Sequence, residues 1–395
     1  MTTIFTGGPA FIGDGTILDH ATVIVEGEKI VKVAIQEVKR PRDAELIDLK
    51  GKMLLPGFVD CHIHIMIDGS PDPLAAAVRN SLQMTTLLAA AHAKNTLMAG
   101  VTTARDMGGT GNVDIAIRDA IKNCVILGPR MLVSGLQICM TGGHGWEFGR
   151  EADGPDEVRK AAREQIKAGC DIVKLMATGG IMTPGVEPGA AQFTEEEISA
   201  GVEEAHKANR KSASHAQGTK GILNSLKAGI DTIEHGFFLN EECVSLMVKN
   251  NVPLIPTLAG GELIEKAVNM GIPDFIVEKN RQVLKAQLQS LAMAREAGIM
   301  IGMGADCGTP LLPHGSNLLE LVSLAEIGFT TEEVLTIGTL NGAKILGLEQ
   351  QIGSIEEGKL ADLVVVEGNP VDDINLVASI ENISTVMQSG SIVKS

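Results

Sequence analysis

One rhythm constrains this chain more than any other feature. Between residues 56 and 348, short apolar runs recur eight times and alternate with longer helical patterns. The runs are Gly57–His64, Val101–Asp106, Arg130–Gly135, Asp171–Met176, Ser212–Ala216, Thr232–Gly236, Pro253–Leu258 and Ile299–Asp306. Short apolar runs bounded by turn residues read as buried strands. The segment Gly154–Gly169 opens with Pro and acids and closes with Gly, as helix termini prefer. Thr194-Glu-Glu-Glu has the spacing of a capping box and predicts a second helix start. Eight strands alternating with helices predict an α/β fold of the (β/α)8 TIM-barrel type, with a doubly wound open sheet as the alternative.

The two ends of the chain follow another pattern. Residues 1–55 hold two short strands around Glu26-Gly-Glu-Lys, and residues 349–395 hold Leu363–Val366 and a further pair after Ile383. Each end is too small for a core of its own. The expected organisation is a small β-sandwich domain built from 1–55 plus 349–395, around a barrel of residues 56–348.

Charge narrows the partners. The 395 residues carry 33 Lys+Arg against 49 Asp+Glu, a net charge of −16, and no basic run reverses this locally. Phosphate backbones need basic surfaces, so a nucleic-acid partner is excluded. No run of 18 apolar residues and no basic-then-apolar leader can be read, so no membrane partner is expected. Six scattered cysteines without CxxC pairs read as reduced thiols of a cytoplasmic protein. A small-molecule substrate and a homo-oligomeric state complete these expectations.

The informative polar residues lie at strand ends. In Asp60-Cys-His-Ile-His, strand alternation turns His62 and His64 the same way, a pincer for a transition metal. Lys174 interrupts Ile-Val-Lys-Leu-Met, His215 ends Ser-Ala-Ser-His, His235 ends Thr-Ile-Glu-His, and Asp306 ends Gly-Met-Gly-Ala-Asp. Each has an ordinary reading. Lys174 can snorkel, the histidines can be hydrogen-bonded core residues, and Asp306 can cap a helix. All of them at strand ends, in this order, are harder to explain that way.

The full set resembles the amidohydrolase superfamily, whose pattern is His-x-His on strand 1, Lys on strand 4, His on strands 5 and 6, and Asp on strand 8. The entry Leu55-Pro-Gly-Phe-Val-Asp-Cys-His-Ile-His and the segment Gly358-Lys-Leu-Ala-Asp-Leu-Val-Val-Val are typical of it as well. The resemblance implies two divalent metal ions, Zn²⁺ by expectation, and a CO2-derived carbamate on Lys174 that bridges them. It places His62, His64 and Asp306 on the first metal and His215 and His235 on the second. It further implies a metal-bridging hydroxide that attacks a carbonyl, with Asp306 as general base and then acid.

Loops supply the remaining candidates. Met140-Thr-Gly-Gly-His-Gly-Trp should carry His144 to the site as an oxyanion or carboxylate partner, with Trp146 beside it. Gln217 and His314 are further candidate substrate contacts, and Thr178-Gly-Gly-Ile-Met-Thr-Pro-Gly is a candidate lid. Arg105-Asp106 is read either as support for the ligands or as a structural ion pair. The loops resemble imidazolonepropionase-related and Xaa-Pro dipeptidase-like members, which implies amide (C–N) hydrolysis of dipeptides or N-acyl amino acids. Prolidase-type members often use a Tyr near the strand-5 His, and this chain has no Tyr. Lactonase or phosphotriesterase chemistry and cyclic-amide or deaminase chemistry are the alternatives on the same centre. A non-catalytic assembly protein is disfavoured by the complete ligand set.

Overall fold

The computed structural model describes residues 2–35, 43–266 and 269–395. Strands from both ends of the chain share one sheet. Thr2–Phe11, Ile17–Glu26, Lys29–Ala34, Glu45–Asp48 and Lys52–Pro56 join Leu363–Glu367, Ile383–Gln388 and Ser391–Lys394. The seam is the antiparallel pairing of Lys52–Pro56 with Leu363–Glu367. Phe5, Val23, Ile30, Leu54, Val365 and Met387 pack in one apolar core on this sheet. Among the described residues these terminal strands form one continuous hydrogen-bonded sheet. The irregular element is the first strand. It pairs with Glu45–Asp48 near its start and with Leu54 near its end, and its register shifts around Gly8. Such irregularities bend a strand, which lets one hydrogen-bonded sheet fold over its core.

The middle of the chain supplies parallel strands. Phe58–Ile63, Val101–Asp106 and Arg130–Val133 form one sheet. Ile172–Met176, Lys211–Ala216, Thr232–His235 and Leu254–Ile255 form another, with short pieces at Ile138–Cys139 and Arg150–Glu151. All six residues of Phe58–Ile63 are buried, as a strand covered on both faces requires. Two expected strands are shorter than their apolar runs. Pro253–Leu258 keeps only Leu254–Ile255, because Leu258 already begins the helix Leu258–Lys266. In Ile299–Asp306 only Ile301 forms a regular bridge, to Leu254.

That last segment nevertheless joins the two sheets. Gly302 N–H donates to Leu254 O at 3.1 Å, Cys61 N–H to Met303 O at 2.7 Å, and Asp306 N–H to His62 O at 2.8 Å. A side chain at Gly304 would come within 2.2 Å of Ile255, so glycine permits the close approach. On the opposite margins, Asp171 N–H donates to Val133 O at 2.7 Å. The mixed α/β class is therefore as expected.

Helix signals were read well where caps were explicit. Pro155–Ala168 ends at Gly169 with φ +101°. At Thr194 both capping-box bonds form, Glu197 N–H to Thr194 Oγ1 at 3.2 Å and Thr194 N–H to Glu197 Oε2 at 2.8 Å. Among the described residues no helix is long and apolar enough to cross a membrane. All six cysteines are unpaired thiols, five of them buried.

Arg130 ties the terminal sheet to the parallel strands. Its guanidinium donates to Thr103 Oγ1, Asp362 Oδ2 and Ser389 Oγ at 3.0, 2.5 and 3.0 Å. Asp362 is 4% exposed, so losing Arg130 leaves a buried carboxylate without its counter-charge, held among the described residues only by the Ser389 N–H at 2.8 Å. Arg130→Ala should therefore cost about 3 kcal/mol in denaturant unfolding followed by far-UV circular dichroism. An unchanged midpoint would show that the contact carries little.

Candidate metal centre

The strand ends bring six side chains to one cavity. His62, His64, Lys174, His215, His235 and Asp306 all line it. His62 Nε2 and His64 Nε2 each lie 3.6 Å from Asp306 Oδ1. Ligand atoms of His62, His235 and Asp306 fall within 4.8 Å of one another. The rings of His62 and His235 are 5.1 Å apart, and those of His215 and His235 are 4.4 Å apart. His235 and Asp306 adopt φ +72° and +59°, unusual for residues with side chains. Such strain gathers at functional sites and persists only where the surroundings hold it.

Hydrogen bonds outside the cluster aim the imidazoles. His62 Nδ1 meets Glu234 Oε2 at 2.8 Å, His64 Nδ1 donates to Gly108 O at 2.7 Å, and His235 Nδ1 meets Thr257 Oγ1 at 2.7 Å. His215 uses the other nitrogen, Nε2 donating to Gly179 O at 3.1 Å. With Nδ1 occupied outward, His62 and His64 turn their Nε2 lone pairs toward Asp306. Burial pushes the histidines down, His64 to about 4 and His62, His215 and His235 well below the usual range. They are therefore neutral, the form that binds a metal.

Asp306 Oδ1 decides whether a cation fits. It is buried and has no hydrogen-bond partner among the described residues, although two imidazole nitrogens face it. Lone pairs converging with no proton between them suit a bound cation. Burial raises the Asp306 carboxyl to about 7. Lys174 is 1% exposed in the same cluster, and burial lowers its amine to about 8.

Two supporting acids escaped the sequence reading. Glu234 sits within Thr232–His235 and bridges His62 to Arg105, whose Nη2 donates to Glu234 Oε1 at 2.8 Å. Asp60 accepts from His62 N–H at 3.0 Å, Ala305 N–H at 3.2 Å and Asn317 Nδ2 at 2.7 Å. An acid inside an apolar run was the available signal, the same one that singled out Lys174. Arg105 and Asp106 do not pair with each other. Arg105 serves Glu234 and Cys61 O, while Asp106 accepts from Ile65 N–H and Gly108 N–H at 2.6 and 2.9 Å.

The loop candidates divide. His144 and Gln217 line the cavity, with Met176, Ile181, Met182, Phe148 and Phe237 as apolar wall. His144 Nδ1 pairs with Thr183 Oγ1 at 2.8 Å, and burial lowers this histidine to about 3. Gln217 is 3% exposed, and its Oε1 has no hydrogen-bond partner among the described residues. Trp146 is 48% exposed and is not part of the cavity wall. Turns at Gly142 and Gly145, with φ +65° and +76°, place His144 inward while Trp146 stays at the surface. His314 is also outside the cavity wall. Its Nε2 is engaged by His64 O and Ile67 O at 3.1 and 3.0 Å, so it braces the strand-1 loop.

The amidohydrolase family pattern covers residues 53–393. The chain belongs to the amidohydrolase family. A crystal structure of a Xaa-Pro dipeptidase with bound methionine in the active site superposes on this amidohydrolase with TM-score 0.92 and 30% identity, covering 100% of both chains. The ochratoxinase of Aspergillus niger is 28% identical over 99% of this chain and 86% of its own length. The imidazolonepropionase of Shouchella clausii is 24% identical over 95% of this chain and 86% of its own length. The family and both branches named from the motifs are thus the ones found. Its members are hydrolytic enzymes that generally bind metal ions.

Glu234 offers a direct test of the support it gives this amidohydrolase. Glu234→Gln keeps the shape but removes the charge between Arg105 and His62. Metal affinity, measured by chelator competition on protein verified as folded, should fall about 10- to 100-fold. An unchanged affinity would show that His62 is oriented without it.

Proposed function

We propose that this amidohydrolase cleaves the amide bond of small dipeptides or N-acyl amino acids, releasing a free amino acid. The observation that carries the reading is the convergence of His62, His64, Lys174, His215, His235 and Asp306 under a cavity with apolar walls. The Xaa-Pro dipeptidase and ochratoxinase relatives support it. With this function we propose that the joined parallel strands are one (β/α)8 barrel of residues 56–348, and that 1–55 with 349–395 form the β domain.

Two divalent ions fit the donor set. His62, His64 and Asp306 would hold one, His215 and His235 the other, and Lys174 as a carbamate would bridge them. The amine of Lys174 adds to CO2 and releases a proton, turning a group that cannot ligate a cation into a two-oxygen anion. When bound, the ions supply an acidified water and polarise the amide carbonyl. Asp306 takes the proton of the attacking water and returns it to the leaving nitrogen. His144 donates to the oxygen on which negative charge develops. Ile181, Met182, Phe148 and Phe237 exclude water and suit apolar substrate side chains.

Purified protein should contain close to two divalent ions per chain, and His62→Ala, His235→Ala and Lys174→Ala should each lower that number. Full occupancy in all three variants would refute the ligand set. A panel of dipeptides, N-acyl amino acids, lactones and phosphotriesters with Zn²⁺ present tests the substrate class. Amide cleavage should dominate; good lactone or phosphotriester turnover without any amide cleavage would overturn it. His144→Ala should lose ~10²–10³ in kcat while keeping its metal.

A further inference from the structure

One buried cation holds the loop that carries Ile181 and Met182 into the cavity wall. Lys279, 7% exposed on the helix Asp274–Glu296, donates Nζ to Thr183 O at 2.7 Å and Val186 O at 2.5 Å, and reaches Gly180 O at 3.5 Å. An ammonium has three N–H donors and carbonyls only accept, so three loop carbonyls match it. From this anchor Thr183 reaches inward. Its Oγ1 accepts from Gly145 N–H at 3.1 Å and lies 2.8 Å from His144 Nδ1.

The hydroxyl proton then has one destination. Among the described residues, His144 Nδ1 is the acceptor within its reach. If Nδ1 carried the histidine proton, Thr183 would accept twice and its own O–H would point at nothing. A buried donor left unmade is disfavoured. The economical arrangement has Thr183 donating to Nδ1, which leaves the histidine proton on Nε2. Gly180 makes room for the ring: a side chain there would come within 2.3 Å of His144 Nε2.

We propose that Thr183, held in place by Lys279, is a positioning residue that fixes His144 as its neutral Nε2–H tautomer, a hydrogen-bond donor on a ring that lines the cavity. This deepens the oxyanion role given to His144 above and rests on it for its catalytic meaning. The other tautomer would present a lone pair to developing negative charge and repel it. The cavity wall and the donor are thereby coupled, because the residue that orients His144 belongs to the loop that supplies Ile181 and Met182 to that wall.

The tautomer can be read directly by NMR of 15N-histidine-labelled protein, without added metal and after Zn²⁺ loading. The His144 signals are assigned by their loss in His144→Gln. Wild type should show a protonated Nε2 and an unprotonated Nδ1. Thr183→Val should give a mixture of tautomers, and Thr183→Ser should restore one. A protonated Nδ1 in wild type, or an unchanged pattern in Thr183→Val, would overturn the proposal. A kinetic arm uses the amide cleaved fastest in the panel. Thr183→Val should lower kcat roughly tenfold with little change in KM, and that loss should vanish in a His144→Ala background. An equal loss in both backgrounds would mean that Thr183 acts through loop structure alone, which also overturns it. If His144→Ala leaves kcat intact, the oxyanion reading fails, while the NMR result still decides the tautomer. Lys279→Met should shift the tautomers in the same direction as Thr183→Val.

Discussion

The Arg105–Glu234 ion pair is the contact on which the geometry of the centre depends. It is 2.8 Å long with both side chains almost fully buried. Buried ions survive only when their remaining donors and acceptors are satisfied. Here Arg105 also donates to Cys61 O, and Glu234 also receives His62 Nδ1 and the Thr232 hydroxyl. One cation therefore links the strand carrying His62 to the strand carrying His235. The imidazoles are aimed before any ligand arrives, and that preorganisation lets neutral nitrogens and an unpartnered carboxylate oxygen share a small space.

The rigid and adaptable parts of the molecule divide along the same line. Metal-ligand candidates lie in the parallel strands or, for His64 and Asp306, in segments hydrogen-bonded to each other beside them. Apart from Met176 at a strand end, the apolar wall comes from loops and helices that the strand ladder does not hold, so it needs separate anchors. Lys279 provides one through the carbonyls of residues 180, 183 and 186. His314 provides another under the loop after the first parallel strand. A scaffold of this kind can change its substrate by changing loops while leaving its chemistry in place.

The sequence was legible where local pattern and chemistry coincide. A Lys inside an apolar run, or two His separated by one residue, stands out because strand alternation converts spacing into direction. Thr194 and Gly169 were legible for the same reason, since caps act within a few residues. Glu234 and Asp60 carried a comparable signal, and it went unread because an acid inside a strand has no evident partner until the chain folds. Arg105 lies 129 residues from Glu234, and Asn317 lies 257 from Asp60. Trp146 drew notice as the single tryptophan, but rarity says nothing about direction, and the turn around Gly145 leaves it outside.

The sequence by itself determined the family, the alternating α/β architecture and the six polar strand-end residues that the fold brings to one cavity, because each is encoded by short-range periodicity or residue type. Tertiary structure alone decided which nitrogen of each histidine faces the cavity, which acids support them, how the terminal sheet wraps one core, and that Thr183 and Lys279 stand behind His144. Those outcomes depend on hydrogen bonds between segments far apart in the chain. Their direction is set by where folding brings the partners, and no local pattern records it.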